Sequence, residues 1–280
     1  MNDRGHLPLV SAIIPTRNRP EMLLRAVKSV AEQTYPRIEL IIVEDEPEGN
    51  IEEYIRQEIK MQACRVIKNK RKPGGAGARN SGFLESKGEF IAFLDDDDEW
   101  MPEKIERQIE AFQKSNDRVG IEAACNIIVQ NSTRIINYRY LEGDVYKALC
   151  RKHTAGNTSI PLIKRHVLEE VGLFDEDMEA AQDTELWLRI AKRYHFTTVN
   201  EPLAIVHWHN SERITKNYSK QVLGVSMLLR KHWSDLPMQR RYTLIKGIAR
   251  LTLLSVRERL YHLFHNLHLI YNYLRGRGIL

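Results

Sequence analysis

Residues 90–100 read FIAFLDDDDEW, a short apolar run that passes directly into four aspartates. A run of this length, rich in aromatic and aliphatic side chains, predicts a buried strand over Glu89–Leu94. Four adjacent carboxylates repel one another, so a folded chain keeps them together only where solvent or a cation offsets the repulsion. Hard oxygen donors of this kind suit Mg2+ or Mn2+, and Mg2+ typically takes one or two carboxylates together with substrate phosphates. The plainer readings are a solvated acidic loop, or negative charge placed at the N-terminus of a helix over Met101–Lys114. The surrounding pattern decides between them.

Upstream, Leu9–Ile14 reads as a buried strand ending at Pro15, and Pro20–Glu21 opens a helix with Leu23, Ala26, Val27 and Val30 on one face. Ile38–Val43 is the next strand, followed by a helix over Ile51–Gln62, a short strand at Arg65–Lys68 and a helix over Ala76–Ser86. Strands separated by helices of this length predict an α/β fold with a mixed, mostly parallel central sheet flanked by helices. In such sheets ligands bind beyond the carboxyl ends of the strands, after Ile14, Val43 and Leu94. The aspartates stand at one of these ends, which favours a cation site over a solvated loop. Downstream, Ile121–Val129 and Arg134–Tyr140 read as a hairpin or mixed-sheet addition, and 181–194 as a helix with Leu186, Trp187, Ile190 and Ala191 on one side. Phe196–Val199 and Leu203–Trp208 read as two strands, and the chain turns helical after about Lys216.

Composition excludes several classes. With 42% hydrophobic and 28% charged residues over 280 positions, the chain is neither collagenous nor disordered, and no repeat suggests a solenoid. The net charge of +5 is unevenly placed: Ser219–Leu280 carries +9, leaving −4 for residues 1–218. A mildly acidic body with a basic tail does not fit a dedicated nucleic-acid binder, whose charge would be spread or striped over the folded domain. Cys64, Cys125 and Cys150 have no metal-ligand spacing and read as reduced thiols of a cytoplasmic protein. The first residues lack the layout of a signal peptide, and no apolar stretch is long enough to span a bilayer.

Seven segments in order carry a resemblance: PTRNR at 15–19, IIVED at 41–45, GGAGARNSG at 74–82, FLDDDDEWMP at 93–102, VGLFDED at 171–177, QDTELWLR at 182–189 and HWHNSERIT at 207–215. Together they resemble the family-2 glycosyltransferases of the GT-A fold, over about 10–215. The resemblance implies an inverting enzyme that moves a sugar from a nucleotide-diphosphate donor, with a UDP-sugar favoured, to a hydroxyl of a glycan or lipid-linked acceptor. It implies a metal, Mn2+ or Mg2+, on the donor diphosphate, held by Asp97 and His209 with Asp95 as a further candidate ligand. Asp95 and Asp96 would also line the nucleotide-sugar site, together with Pro15, Thr16, Arg17, Asn18, Asp45, Gly75, Arg79 and Asn80. Asp45 matches the carboxylate that accepts from the nucleobase. Gly74, Gly75 and Gly77 allow positive φ or close backbone approach, without the Gly-Lys-Ser/Thr ending of a P-loop.

Asp183 matches the catalytic base. Gln182 stands where Glu is usual, and losing that like charge favours a lower pKa for the base; Asp183 is equally placed to cap the helix that follows. Glu44 replaces a more usual Asp, Glu46–Pro47 a Gly–Ser pair, and His207 a frequent Arg, while Trp100 reads as packing behind the acidic motif or beneath the acceptor. Two other functions share the layout: a nucleotidyltransferase that builds sugar nucleotides, and a non-catalytic sugar-nucleotide-binding protein of the same fold.

The domain reading is a catalytic part over 1–217, its nucleotide-sugar half about 8–100 and its acceptor half about 101–217, with a basic amphipathic helical extension over 218–280. Leu253, Val256, Leu260, Leu263, Leu267, Ile270 and Leu274 recur in alternating steps of three and four, a seam that wants a partner surface. Docking on the catalytic part, self-association and an anionic membrane interface each satisfy it. The last would make the protein cytoplasmic and peripheral on the inner face of the membrane.

Overall fold

Strands β1 (Val10–Thr16) and β2 (Ile38–Glu44) are buried along almost their whole length, as their aliphatic composition requires of strands covered on both faces. They are interior strands of a nine-stranded sheet in the computed structural model, which describes residues 7–46, 51–59, 63–130, 133–137, 141–151, 156–208 and 217–256. The other strands are β3 (Cys64–Lys68), β4 (Phe90–Phe93), β5 (Glu99–Trp100), β6 (Val119–Gln130), β7 (Thr133–Asn137), β8 (Leu162–Lys164) and β9 (His195–Trp208). Their order is β3-β2-β1-β4-β8-β6-β9-β5, with β7 paired to β6. The first four are mutually parallel; β8 is antiparallel to β4 and β6, and β9 is again parallel to β6.

The order reverses at β1, which has β2 on one side and β4 on the other. A crevice opens at the carboxyl ends where an α/β sheet changes direction. Thr16 at the end of β1 and the aspartates after β4 flank it.

Helices cover the sheet: α1 (Pro20–Ala31), α2 (Ile51–Glu58), α3 (Gly75–Glu85), α4 (Lys104–Lys114), α5 (Tyr146–Arg151), α6 (Arg165–Val171) and α7 (Gln182–Ala191). Pro20 starts α1 where its missing N–H is not needed, and the face of Leu23, Ala26, Val27 and Val30 is buried as its spacing predicts. Helix α3 packs by smallness instead. A Cβ on Gly82 would stand 2.4 Å from Ile13 Cγ2, so only glycine lets this helix approach β1 so closely.

Three sequence expectations change. Strand β1 does not end at Pro15 but runs to Thr16. The carbonyls of Leu9 and Ile13 accept from the β4 side, whereas Val10 N and Thr16 O bond on the β2 side. The Pro15 nitrogen therefore faces a flank that β4 has already left, and no ladder bond is lost. The two strands read at 196–199 and 203–208 are one, β9, whose register against β6 slips where Val199, Pro202 and Ala204 face Ala124, Cys125 and Asn126. The apparent break is a bulge around Pro202, which cannot donate. Strand β5 falls between the aspartates and the helix expected from Met101, where no strand was expected.

Contacts divide the chain into Met1–Asp177 with Gln182–Asn210, which holds the sheet, and Met178–Ala181 with Ser211–Leu280. In the second unit α8 (Tyr218–Lys231) is capped by the Asn217 side chain, and a further helical stretch covers 238–256. Lys220 pairs with Glu179 at 3.1 Å, and a Cβ on Gly224 would stand 2.3 Å from Ala180 O, so the four-residue segment lies directly on α8. Past Val256 the heptad seam lies outside the described residues. Among those described, no helix is long and apolar enough to cross a membrane. The three cysteines are free thiols.

Candidate active site

Beyond Phe93 the chain leaves the sheet in two steps. Leu94 N still donates to Ile13 O at 3.0 Å, and Asp98 N then donates to Asp95 O at 3.0 Å, closing a turn. The turn gives the four carboxylates different neighbours.

Asp95 meets Arg79 Nη2 at 2.5 Å and accepts from Thr158 Oγ1 at 3.0 and 3.1 Å. Asp96 is buried; it accepts from Thr16 Oγ1 at 2.8 Å and lies 3.3 Å from Arg19 Nη1. Asp97 lies 3.8 Å from the same guanidinium, and its carbonyl accepts from Arg25 Nη2 at 2.9 Å. Asp98, also buried, accepts from Ser159 Oγ at 2.6 Å, Asn157 Nδ2 at 3.0 Å and His207 N at 3.2 Å.

Asp95, Asp97 and Asp98 each offer an oxygen within 4.8 Å of the others, a trio that fits a small divalent cation. Burial, reinforced by the Asp97 and Asp95 charges, pushes the Asp96 carboxyl up to about 6 against the pull of Arg19 and Thr16. Burial and then the charges of Asp95 and Asp97 raise Asp98 well above the carboxylate range. Burial thus disfavours the charged forms of Asp96 and Asp98, while the oxygens of Asp95, Asp97 and Asp98 are close enough together to take a divalent cation. The sequence singled out Asp97 and Asp95, and the fold sets Asp98 beside them; in a run of four identical residues no local signal ranks the members.

The crevice wall beside β1 and β2 holds the residues assigned to the nucleotide. Asn18 and Glu46 adopt left-handed φ of 51° and 57° where β1 and β2 end, and Arg17 is ion-paired with Glu46 across the two exits. Both oxygens of Asp45 are engaged: one accepts from Asn69 Nδ2 and the other from Gly74 N, each at 2.7 Å. Asp45 therefore fixes the glycine-rich turn, and a carboxylate keeps further lone pairs for a base. The missing Cβ of Gly75 would lie 2.9 Å from Arg79 Nη1, so this glycine lets the guanidinium lie across the start of α3 on its way to Asp95. Asn80 faces the other way. Its amide donates to Phe174 O at 2.9 Å and Glu176 Oε1 at 2.7 Å and accepts from Phe174 N at 3.1 Å. It fastens the VGLFDED segment to α3.

Asp183 occupies the first turn of α7, its Oδ1 accepting from Thr184 N at 2.7 Å. Burial raises its pKa; the Thr184 bond and the Arg79 charge oppose the rise, and Asp95 adds to it. Burial sets the direction of the shift, and the response to Arg79 and Asp95 places Asp183 in the same electrostatic neighbourhood as the acidic turn. Helix α7 is held by residues the sequence did not single out. Arg189 pairs with buried Glu185 at 2.8 Å and donates to the carbonyls of Val171, Gly172 and Leu173, each at 2.7 Å.

His207 Nε2 lies 2.5 Å from Glu99 Oε1, and Trp100 is buried with its Nε1 donating to Ser159 O at 2.8 Å. Trp100 packs behind the acidic turn, and His209 lies outside the described residues. Thr158 and Ser159, which contact Asp95 and Asp98, come from a segment without motif character.

Residues 11–172 match the family described as glycosyl transferase family 2. The chain is 28% identical over 235 residues to the uncharacterized glycosyltransferase MJ1057 of Methanocaldococcus jannaschii, covering 81% of this chain and 80% of that protein. It is 27% identical over 248 residues to WfgD of Escherichia coli, a UDP-Glc:alpha-D-GlcNAc-diphosphoundecaprenol beta-1,3-glucosyltransferase, covering 86% and 92% respectively. Among solved structures it is similar to the mannosyltransferase PcManGT of Pyrobaculum calidifontis in complex with GDP-Man and Mn2+ (TM-score 0.62, 18% identity, 90% of this chain and 72% of that one). It is similar also to S. aureus TarS 1-349 in complex with UDP-GlcNAc (TM-score 0.63, 14% identity, 87% and 71%). At these identities the structures share the fold, the GT-A arrangement of sheet and helices.

Proposed function

The chain belongs to glycosyl transferase family 2, and from that premise we propose an inverting transfer of a sugar from a UDP-sugar to a hydroxyl of a glycan or lipid-linked acceptor. The observation that carries it is the convergence of Asp183, Arg79 and the Asp95–Asp97–Asp98 trio at the sheet's switch point. Mn2+ or Mg2+ held by the trio would neutralise charge on the departing diphosphate. Arg79, already on Asp95, supplies a second positive charge beside that site. Asp183 takes the acceptor proton, and its burial-raised pKa makes it a stronger base than an exposed aspartate. Thr16, Arg17, Asn18 and Asp45 border the place for base and ribose, and a lipid-linked acceptor would set the enzyme to work in the cytoplasm at a membrane face. In this reading the catalytic part is 1–217 and the extension 218–280.

The test is a thermal-shift panel of sugar nucleotides with and without Mn2+, followed by assay of the released nucleotide. A UDP-sugar is expected to raise the melting temperature in the presence of Mn2+, and turnover to liberate UDP. Asp97→Asn is expected to abolish the metal-dependent part of the shift. Pyrophosphate as the product would mean nucleotidyl transfer instead, and no shift with any donor would remove the donor-site reading altogether.

A further inference from the structure

The helical stretch 238–256 carries an apolar stripe that the fold leaves in solvent. Met238, Tyr242, Ile245, Ala249, Leu253 and Val256 follow one another in steps of three or four residues, and all are exposed, Met238 and Leu253 by 78% and 72%. At 3.6 residues per turn they fall within a sector of roughly 80°. The opposite side bears Leu244 and Ser255, which are buried, and the Ser255 hydroxyl is 2.7 Å from that of Ser219 on α8. The stripe is therefore the outward side of a helix already held from behind.

Cations border it on both sides. Arg241 stands at one margin, with Lys246 and Arg250 at the other, and 238–256 contains no Asp or Glu. Two of these cations lie over aromatic rings: Arg241 over the half-exposed Trp233 at 4.7 Å and Lys246 over Tyr242 at 4.5 Å.

We propose that this face, Met238 to Val256 with its Arg241, Lys246 and Arg250 margins, is the surface by which the enzyme docks on an anionic lipid bilayer. The proposal deepens the reading of a membrane-facing enzyme given above and rests on it. A bilayer surface matches the pattern at every depth. Aliphatic side chains enter the acyl boundary, Tyr242 and Trp233 sit at the headgroup level, and the lysine and arginine heads reach the lipid phosphates. A second copy of the same face would offer Arg241, Lys246 and Arg250 no Asp or Glu from 238–256 to pair with, and nucleic acid would leave Met238, Leu253 and Val256 with no apolar partner.

The experiment is flotation of the full chain with vesicles of phosphatidylcholine, with or without phosphatidylglycerol. The wild type is expected to float with the anionic vesicles, to stay behind with the neutral ones and to release at high salt. The double variant Ile245→Glu/Leu253→Glu is expected to lose flotation. The triple variant Arg241→Gln/Lys246→Gln/Arg250→Gln is expected to partition about a hundredfold more weakly, at roughly 1 kcal/mol per removed charge. Ile245, Leu253, Lys246 and Arg250 are exposed and Arg241 is half-buried, its Nε donating to Leu236 O at 2.7 Å; unchanged circular dichroism together with an unchanged donor-dependent thermal shift would report an intact enzyme. Equal flotation of wild type and both variants would overturn the proposal. So would a wild type that ignores anionic vesicles, or one that runs as a dimer which the double variant dissociates. The donor thermal shift needs no lipid, so failure here and failure of the glycosyltransferase reading are read separately.

Discussion

Gly77→Ala probes the join between the glycine-rich turn and the nucleotide wall. A Cβ at 77 would lie 1.9 Å from Lys72 O, 3.0 Å from Lys72 C and 3.2 Å from Lys72 N. All three are backbone atoms, so no side chain can swing aside. A tolerable carbon–oxygen contact is about 3.3 Å, so α3 or the loop before it must move by roughly 1.4 Å. Overpacking typically costs about 1–3 kcal/mol, and a clash with backbone belongs at the upper end. Alanine's better helix propensity returns about 1 kcal/mol, leaving a net loss of about 2 kcal/mol. For a domain of this size that corresponds to a melting point lower by about 4–8 °C. The same loop carries Asn69 and Gly74, which hold Asp45, so the donor-dependent thermal shift should shrink as well. Gly247→Ala is the matched control: a Cβ there meets nothing within 4 Å, and the melting point should hold or rise. Scanning fluorimetry of the two variants decides the matter. If Gly77→Ala melts within the scatter of the wild type, the close approach of α3 to Lys72 is wrong.

Asp183→Asn should leave the donor thermal shift intact while turnover falls by about 10²–10⁴-fold; near-normal turnover would end its role as base. Because burial raises the Asp183 pKa, the acid limb of the rate profile should lie above the ordinary carboxylate range, with activity lost as pH falls through it. Asn80→Ala leaves the buried amide and carbonyl of Phe174 without their partner and should destabilise the protein by about 2–3 kcal/mol, with Mn2+ binding by calorimetry unchanged. A selective loss of donor affinity at constant melting temperature would instead make Asn80 a nucleotide ligand. Glu122, buried with its carboxyl raised to about 8, keeps a proton in the folded state that the unfolded chain has lost above about 4.5. That stability is complete below the unfolded pKa and fades as pH rises towards 8. Glu122→Gln should flatten this decline in thermal melts taken across the range. A decline as steep as the wild type's would assign it to another group.

The alternation of strands and helices through residue 94 was legible because it rests on local periodicity, and the same periodicity set the aspartates at the carboxyl end of a buried strand. The less regular half was read coarsely. Strand β8 is three residues long and β5 two, too short to show a period, and the bulge at Pro202 imitates a strand end. Site membership followed the same division. Asp45, Arg79 and Asp183 stand out as charged residues at element ends, whereas Ser159 and Thr158 are ordinary hydroxyls until the fold brings them to Asp98 and Asp95.

By itself the sequence determined the alternation of strands and helices through residue 94, the acidic turn at the carboxyl end of a buried strand and the charge imbalance between body and tail, since each follows from neighbours along the chain. Only the tertiary structure decided that Asp96 turns to Thr16 and Arg19 while Asp95, Asp97 and Asp98 gather, that Asn80 fastens a loop, and that the outward stripe of 238–256 stays exposed. Four identical residues, or one amphipathic helix, offer local chemistry nothing by which to choose a partner. That choice is made by groups from distant parts of the chain, which meet only when the sheet closes around them.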